Sequence, residues 1–199
     1  MNRRANIPTQ LRKFCSAQCG SVITEFALLA PIVIGFMFLS VVGFDAARGL
    51  RQITTASVVV SDIASRFDFM DADREGEVLA TAAALLGRYA DRNDYNVTVS
   101  SIANEAGDNL DELEVVWSFA KNPGTELATG ALQDLNIPTI NEGSSVIFVN
   151  IELDYTPPFN VSGGNDMIAL KDSSIRRPRF VNEVCYKQPG QATICSNNN

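Results

Sequence analysis
Between Phe26 and Phe44 the chain carries nineteen consecutive residues without a charge, FALLAPIVIGFMFLSVVGF. Coiled into an α-helix, such a run covers about 28 Å at 1.5 Å per residue, close to the roughly 30 Å hydrocarbon thickness of a bilayer. Twelve of the nineteen are Leu, Ile, Val or Phe. At about 0.3–0.6 kcal/mol each they favour insertion by about 5 kcal/mol, more than one acid at the edge or Pro31 costs. A soluble core helix of this length normally keeps a polar face. A cleaved secretory signal has a shorter apolar stretch, about 7–15 residues, ending in an Ala-x-Ala-like site. This run instead meets Asp45-Ala46-Ala47-Arg48. The sequence therefore predicts one retained transmembrane helix over 21–44.

Charge gives that helix a direction. Residues 1–20 hold Arg3, Arg4, Arg12 and Lys13 and no acid, a local charge of +4, whereas the remaining residues sum to −11. By the positive-inside rule the leader stays in the cytoplasm and the rest of the chain crosses. The net charge of −7 argues against a nucleic-acid partner. Histidine is absent, which excludes serine triads, Cys-His pairs and His-based metal sites. Cys15 and Cys19 precede the helix and are expected to remain thiols. Cys185 and Cys195 lie beyond it, where an oxidising compartment lets them bridge and contribute up to about 3 kcal/mol by closing a short loop. Such a bridge ties down the C-terminus. With the two pairs on opposite sides of a membrane, a four-cysteine zinc site is excluded.

Immediately before the apolar run stands Gly20-Ser21-Val22-Ile23-Thr24-Glu25-Phe26. An acid at the bilayer edge is costly and calls for a partner. A basic leader, a small residue and an apolar helix with a glutamate five places after the glycine resemble a type IV prepilin. More narrowly, G-x-x-x-x-E-F leading into ALLAPIVI is similar to the TadE-like pseudopilins of the tight-adherence (Flp) pilus system. The resemblance is strongest over residues 18–66 and weaker over Val146–Pro158, where VIFVNIELDYTPP is similar to a late strand of that group; residues 67–145 carry nothing diagnostic.

The resemblance implies cleavage by a prepilin peptidase between Gly20 and Ser21. Gly20 has no side chain to block approach to the scissile bond. Cleavage frees a Ser21 amine with an ordinary pKa of roughly 7.7–8.0. Glu25 lies four residues on, one helical turn away, and can pair with that amine in its own chain or a neighbour's. Removing one partner from such a pair in low dielectric costs roughly 3–5 kcal/mol, so Glu25, followed by Phe26, sets the register of packed helices. The bland alternative is an acid favoured near the positive end of the helix dipole. The implied function is that of a minor pilin or pseudopilin aiding assembly of a Flp-type pilus, without catalysis, cofactor or metal. Its expected place is a bacterial inner membrane, crossed once, with the C-terminal domain in the periplasm or carried into a pilus. Expected partners are the prepilin peptidase, other pilins and pseudopilins, inner-membrane assembly proteins and membrane lipid. The alternatives are a pseudopilin of a related secretion system, and an unprocessed single-span envelope protein with a ligand-binding outer domain.

Beyond the membrane the pattern predicts an α+β domain. The helix is expected to continue over 45–67 through an apolar seam of Ala46, Leu50, Ile53, Ser57, Val60, Ala64 and Phe67, with Gly43 and Gly49 as weak points. Small residues Ala27, Ala30, Gly35 and Gly43 permit close helix approach. Within 68–199, Asp71 or Asp73 caps a second helix over about 74–91, whose Val78, Leu79, Ala82, Leu85, Leu86 and Tyr89 share a face. Strand patterns follow at Tyr95–Ile102, Leu113–Ala120, Val146–Tyr155 and Arg179–Tyr186, the first two joined by a hairpin at Gly107-Asp108-Asn109. Lys121–Gly143 is a mixed connection with a short helix over 125–135. The expected sheet has about four antiparallel strands, one face covered by helices.

Other motifs are weak. Asp71-x-Asp73-x-Glu75-Gly76 imitates the opening of a calcium loop, but Ala82 stands where the bidentate glutamate belongs; helix-capping acids are the simpler reading. Asp108, Asp111, Glu112 and Glu114 read as a solvated acidic edge. Arg176-Arg177-Pro178-Arg179 reads as a solvated turn, with binding to an acidic partner as the sharper option. Asn96-Val97-Thr98 and Asn160-Val161-Ser162 match glycosylation triplets that arise often by chance.

Overall fold
The computed structural model describes residues 19–104, 113–159, 167–188, 190 and 192–196. Residues 1–18 of the basic leader, the 107–109 hairpin link, Asp108, Asp111, Glu112 and the 160–162 triplet lie outside the described residues. The chain divides into two units, Met1–Phe44 and Asp45–Asn199. A single helix, α1 (Cys19–Ala64), contributes to both. The second unit continues with β1 (Phe69–Met70), α2 (Ala72–Leu86), α3 (Arg88–Arg92), β2 (Tyr95–Asn104) and β3 (Leu113–Ala120). After them come a 3-10 helix (Thr129–Asp134), β4 (Ser144–Tyr155), β5 (Ile168–Arg176) and β6 (Cys185–Tyr186). The fold class is α+β, as expected.

Four strands form one antiparallel sheet in the order β3-β2-β4-β5. Strands β2 and β4 run side by side from Tyr95 opposite Leu153 to Asn104 opposite Ser144. A register shift between Ser101 and Ile102 on the β3 side carries the pairing from Trp117 to Val115. The fourth strand corrects the sequence reading: it is Ile168–Arg176, not Arg179–Tyr186. Of the latter stretch only Cys185–Tyr186 is extended, and it pairs in parallel with Phe69–Met70 in a separate two-stranded sheet. Phe180, within that stretch, is 73% exposed.

Odd-numbered residues of β4 (Ile147, Val149, Ile151, Leu153, Tyr155) join Val97, Val99, Trp117 and Phe119 under the helices. Even-numbered Val146 and Phe148 face the other way and meet Leu132, Ile137 and Ile140 of the 121–143 connection. That second layer explains why β2 is buried on both faces along most of its length.

The helical face comes partly from the expected seam. Ile53, Ser57, Val60 and Ala64 are buried, but Leu50 is 44% exposed and Ala56, Ser61 and Ser65 are buried instead. The buried serines are satisfied. Ser57 Oγ donates to Asp172 Oδ2 at 2.6 Å, and Ser61 Oγ lies 2.9 Å from Ser174 Oγ. Gly49 is a contact rather than a hinge, since a Cβ there would stand 3.3 Å from Tyr89 Cε1 and 3.5 Å from Leu170 Cδ1. The helix ends at Ala64, three residues short of the expected Phe67. Its last turn tightens there, with the Arg66 and Phe67 amides donating to the Ile63 and Ala64 carbonyls.

Asp71 caps α2, its Oδ1 accepting from the Arg74 amide at 2.9 Å. The single helix expected over 74–91 is two, because Gly87 (φ 51°) turns the backbone between α2 and α3. Val78, Ala82, Leu86 and Tyr89 nevertheless line one buried face, with Leu79 and Leu85 packed beside them.

Candidate functional site
The candidate site is the N-terminal half of α1. Helical backbone begins at Cys19, so Gly20 and Ser21 stand in the first turn and Glu25 follows Ser21 by one turn. Glu25 is exposed. Phe26 is 72% exposed, and the apolar side chains that follow it, such as Leu28 (73%), Ile32 (68%) and Phe36 (70%), are uncovered in the same way. No residue in the most apolar eighteen-residue window is buried against the rest of the protein. The exposure runs around the whole helix rather than along one stripe. Water does not tolerate so large a contiguous apolar surface, which marks it for contact with lipid or other apolar chains. The helix has the length and composition to cross a membrane. Its one hydroxyl within the apolar run is already satisfied, because Ser40 Oγ donates to the Phe36 carbonyl at 2.8 Å. Pro31 lies inside the helix without ending it.

In the second unit, Asp45 ties the start of its helical segment to the domain. One carboxylate oxygen accepts from Arg88 Nη2 at 2.6 Å and Tyr89 Oη at 3.1 Å; the other accepts from Tyr155 Oη at 2.9 Å. Burial and the adjacent carboxylate push the Tyr155 phenol well above its ordinary pKa, so it stays a donor. Sequence reading used Asp45 only as the end of an apolar run and missed this anchor. Two tyrosines more than forty residues downstream gave no local signal for it.

Cys185 and Cys195 form a disulfide. It closes the C-terminal segment beside the Tyr186–Ile194 bridge, where each backbone donates to the other at 2.8 Å. Trp117 Nε1 donates to the Val184 carbonyl at 2.6 Å, fastening the same segment to β3. Tyr186 Oη donates to Glu75 Oε2 at 2.8 Å; burial first, then that hydrogen bond, push its phenol up to about 12.

The remaining motifs serve the fold. Asp71 is the α2 cap described above. Arg176, Arg177 and Arg179 are exposed, as a solvated turn requires, and two of them also make contacts. Arg179 pairs with Asp62 of α1 and its amide donates to the Ser65 carbonyl at 2.9 Å, while Arg177 Nη2 donates to the Thr139 carbonyl at 3.1 Å. Asn96 is on β2, its Nδ2 3.3 Å from Thr98 Oγ1. Among the described residues no group of three or more acids and cysteines is placed to hold a metal ion.

A long apolar N-terminal helix followed by an antiparallel sheet, with a disulfide near the C-terminus, is a type IV pilin-like architecture. Comparison with family models, with curated protein sequences and with solved structures gives no match for this chain.

Proposed function
We propose that this chain is a minor pilin or pseudopilin that aids assembly of a Flp-type (tight-adherence) pilus, acting through helix packing and without catalysis of its own. One observation carries the reading: a bare apolar helix, uncovered on every side, that begins at a G-x-x-x-x-E junction. In this reading α1 spans the bacterial inner membrane through 21–44 with the leader in the cytoplasm. A prepilin peptidase cuts between Gly20 and Ser21. The Ser21 amine then meets Glu25 of its own or a neighbouring helix, setting the axial register of subunits. Other pilins and the inner-membrane assembly proteins supply apolar partners for this largely exposed helix.

Intact mass of the protein extracted from membranes tests the first step. The mature chain is expected to begin at Ser21, shorter by the 20-residue leader. A chain that keeps its initiator methionine in cells with an active peptidase favours an unprocessed envelope anchor instead. Glu25→Ala tests the second step. The variant should still insert and accumulate, while piliation drops by tenfold or more, in line with the roughly 3–5 kcal/mol cost of a stranded charge. Normal piliation with Glu25→Ala sinks the register role.

A further inference from the structure
We propose that a groove at the start of the second unit, formed by Arg48, Arg51 and Arg88, binds the phosphate of an anionic phospholipid headgroup. The inference rests on the reading of α1 as a membrane span. The groove is an open depression of about 600 Å³, lined also by Gln52 and Tyr89. Arg48 and Arg51 stand one turn apart on α1, and Arg88 opens α3. All three are exposed.

Three arginines lining one groove are out of keeping with a chain whose charge beyond residue 20 is −11. Between Ala46 and Ser61 the helix carries Arg48 and Arg51 and no acid. The adjacent carboxylate, Asp45, is already committed, since it accepts from Arg88, Tyr89 and Tyr155. The residues that line the groove include these three arginines and no acid. Arginine presents a planar fork of donors that matches phosphate oxygens, and several on one wall form an anion site.

Chain connectivity selects the lipid source. Arg48 lies four peptide steps after Phe44, the end of the apolar run, so whatever path the backbone takes the two Cα atoms lie within about 14 Å. The headgroup layer beyond the hydrocarbon core is about 5–7 Å thick on each side. An arginine side chain starting there reaches phosphates of the leaflet that the second unit faces. Leu85 and the aromatic ring of Tyr89 give the groove an apolar wall beside its charge, which suits an amphiphile better than a free ion.

The test uses the full chain in neutral detergent, with native mass spectrometry counting bound dioleoyl-phosphatidylglycerol against dioleoyl-phosphatidylcholine. Retention of the anionic lipid is expected to exceed that of the zwitterionic one on the order of tenfold. Arg48→Gln/Arg51→Gln is expected to bring the ratio close to one while leaving Arg88 to hold Asp45, with an unchanged thermal melt. Adding Arg88→Gln should remove any remainder. An equal ratio in the wild type, or an unchanged ratio in a folded double variant, overturns the proposal. Inorganic phosphate that displaces the lipid at equal concentration shows a free-anion site and overturns the lipid source. An acidic peptide that does so, while the anionic lipid shows no preference, makes the groove a protein-docking surface and overturns it too. Alkaline extraction of cell membranes separates this failure from that of the membrane reading. A protein that washes off sinks both, whereas an integral protein with no lipid preference sinks this inference alone.

Discussion

At the scale of single residues, charge pairs decide how the domain answers to pH. Burial acts to raise the Asp62 carboxyl, but hydrogen bonds and charges from Arg66 and Arg179 outweigh it and hold its pKa below the ordinary 3.8. The Lys171 ammonium, at 2.8 Å, similarly holds Glu152 below its ordinary 4.5 against a smaller burial effect, with help from Asn150. A carboxyl whose folded pKa is depressed contributes stability that is fully present above the unfolded value and is lost as pH falls through the folded one. The contribution of both groups is therefore intact above about pH 5 and declines below it. Exposed pairs of this kind contribute modestly. Asp62→Asn/Glu152→Gln is expected to lower the melting temperature by a few degrees at neutral pH and to flatten its fall on acidification. Parallel melts of wild type and variant from neutral to acid pH check this; identical slopes would mean that the pairs are thermodynamically silent.

At the scale of elements, what was legible depended on whether an interface is apolar. The Val78, Ala82, Leu86, Tyr89 face announces itself by helical spacing, and Asp71 by its place before that spacing starts. β5 was missed because its inward residues include Asp172 and Ser174, which meet Ser57 and Ser61 of α1 through hydrogen bonds. A polar helix–sheet seam breaks the alternation by which a half-buried strand is recognised. The false strand at Arg179–Tyr186 is the reverse case: its Phe180 is apolar and exposed, and most of the stretch is held by Arg179, Trp117 and the disulfide rather than by a sheet. The junction at Gly20–Phe26 is legible as a motif, and the structure adds that it lies on continuous helical backbone. The arginine groove was invisible, since Arg88 lies thirty-seven positions from Arg51.

The C-terminal segment owes its order to the Cys185–Cys195 bridge as well as to β6. A closed loop of about ten residues restricts the unfolded chain by about 2–3 kcal/mol. Cys185→Ser/Cys195→Ser is expected to lower the unfolding free energy by that amount, moving the urea midpoint of the domain down by about 1–2 M, and to expose the segment after Tyr186 to proteases. A variant with an unchanged midpoint would show that β1, Trp117 and Glu75 hold the segment unaided.

At the scale of the whole molecule the two units keep different company. Every buried apolar residue among those described lies at Ile53 or later, so the core of the second unit draws nothing from 21–44. A chain starting at Asp45 is therefore expected to be soluble without detergent and to melt cooperatively. The full chain should need detergent or lipid, because most of the large apolar side chains of its 26–44 run are exposed. Circular dichroism and size-exclusion chromatography of the two forms decide it; aggregation of the shorter form would mean that the domain depends on the apolar helix.

The serine seam also sets a timetable. Ser57 and Asp172 are 115 positions apart, and Ser61 and Ser174 are 113 apart. A ribosome adding about 5–20 residues per second needs roughly 6–23 s to cover that distance. Throughout that interval the inner face of the emerging rod waits for a strand not yet made, and closure of so long a loop is intrinsically late. The long helix is therefore complete well before the sheet that covers its second half, and the sheet must close onto a helix already made.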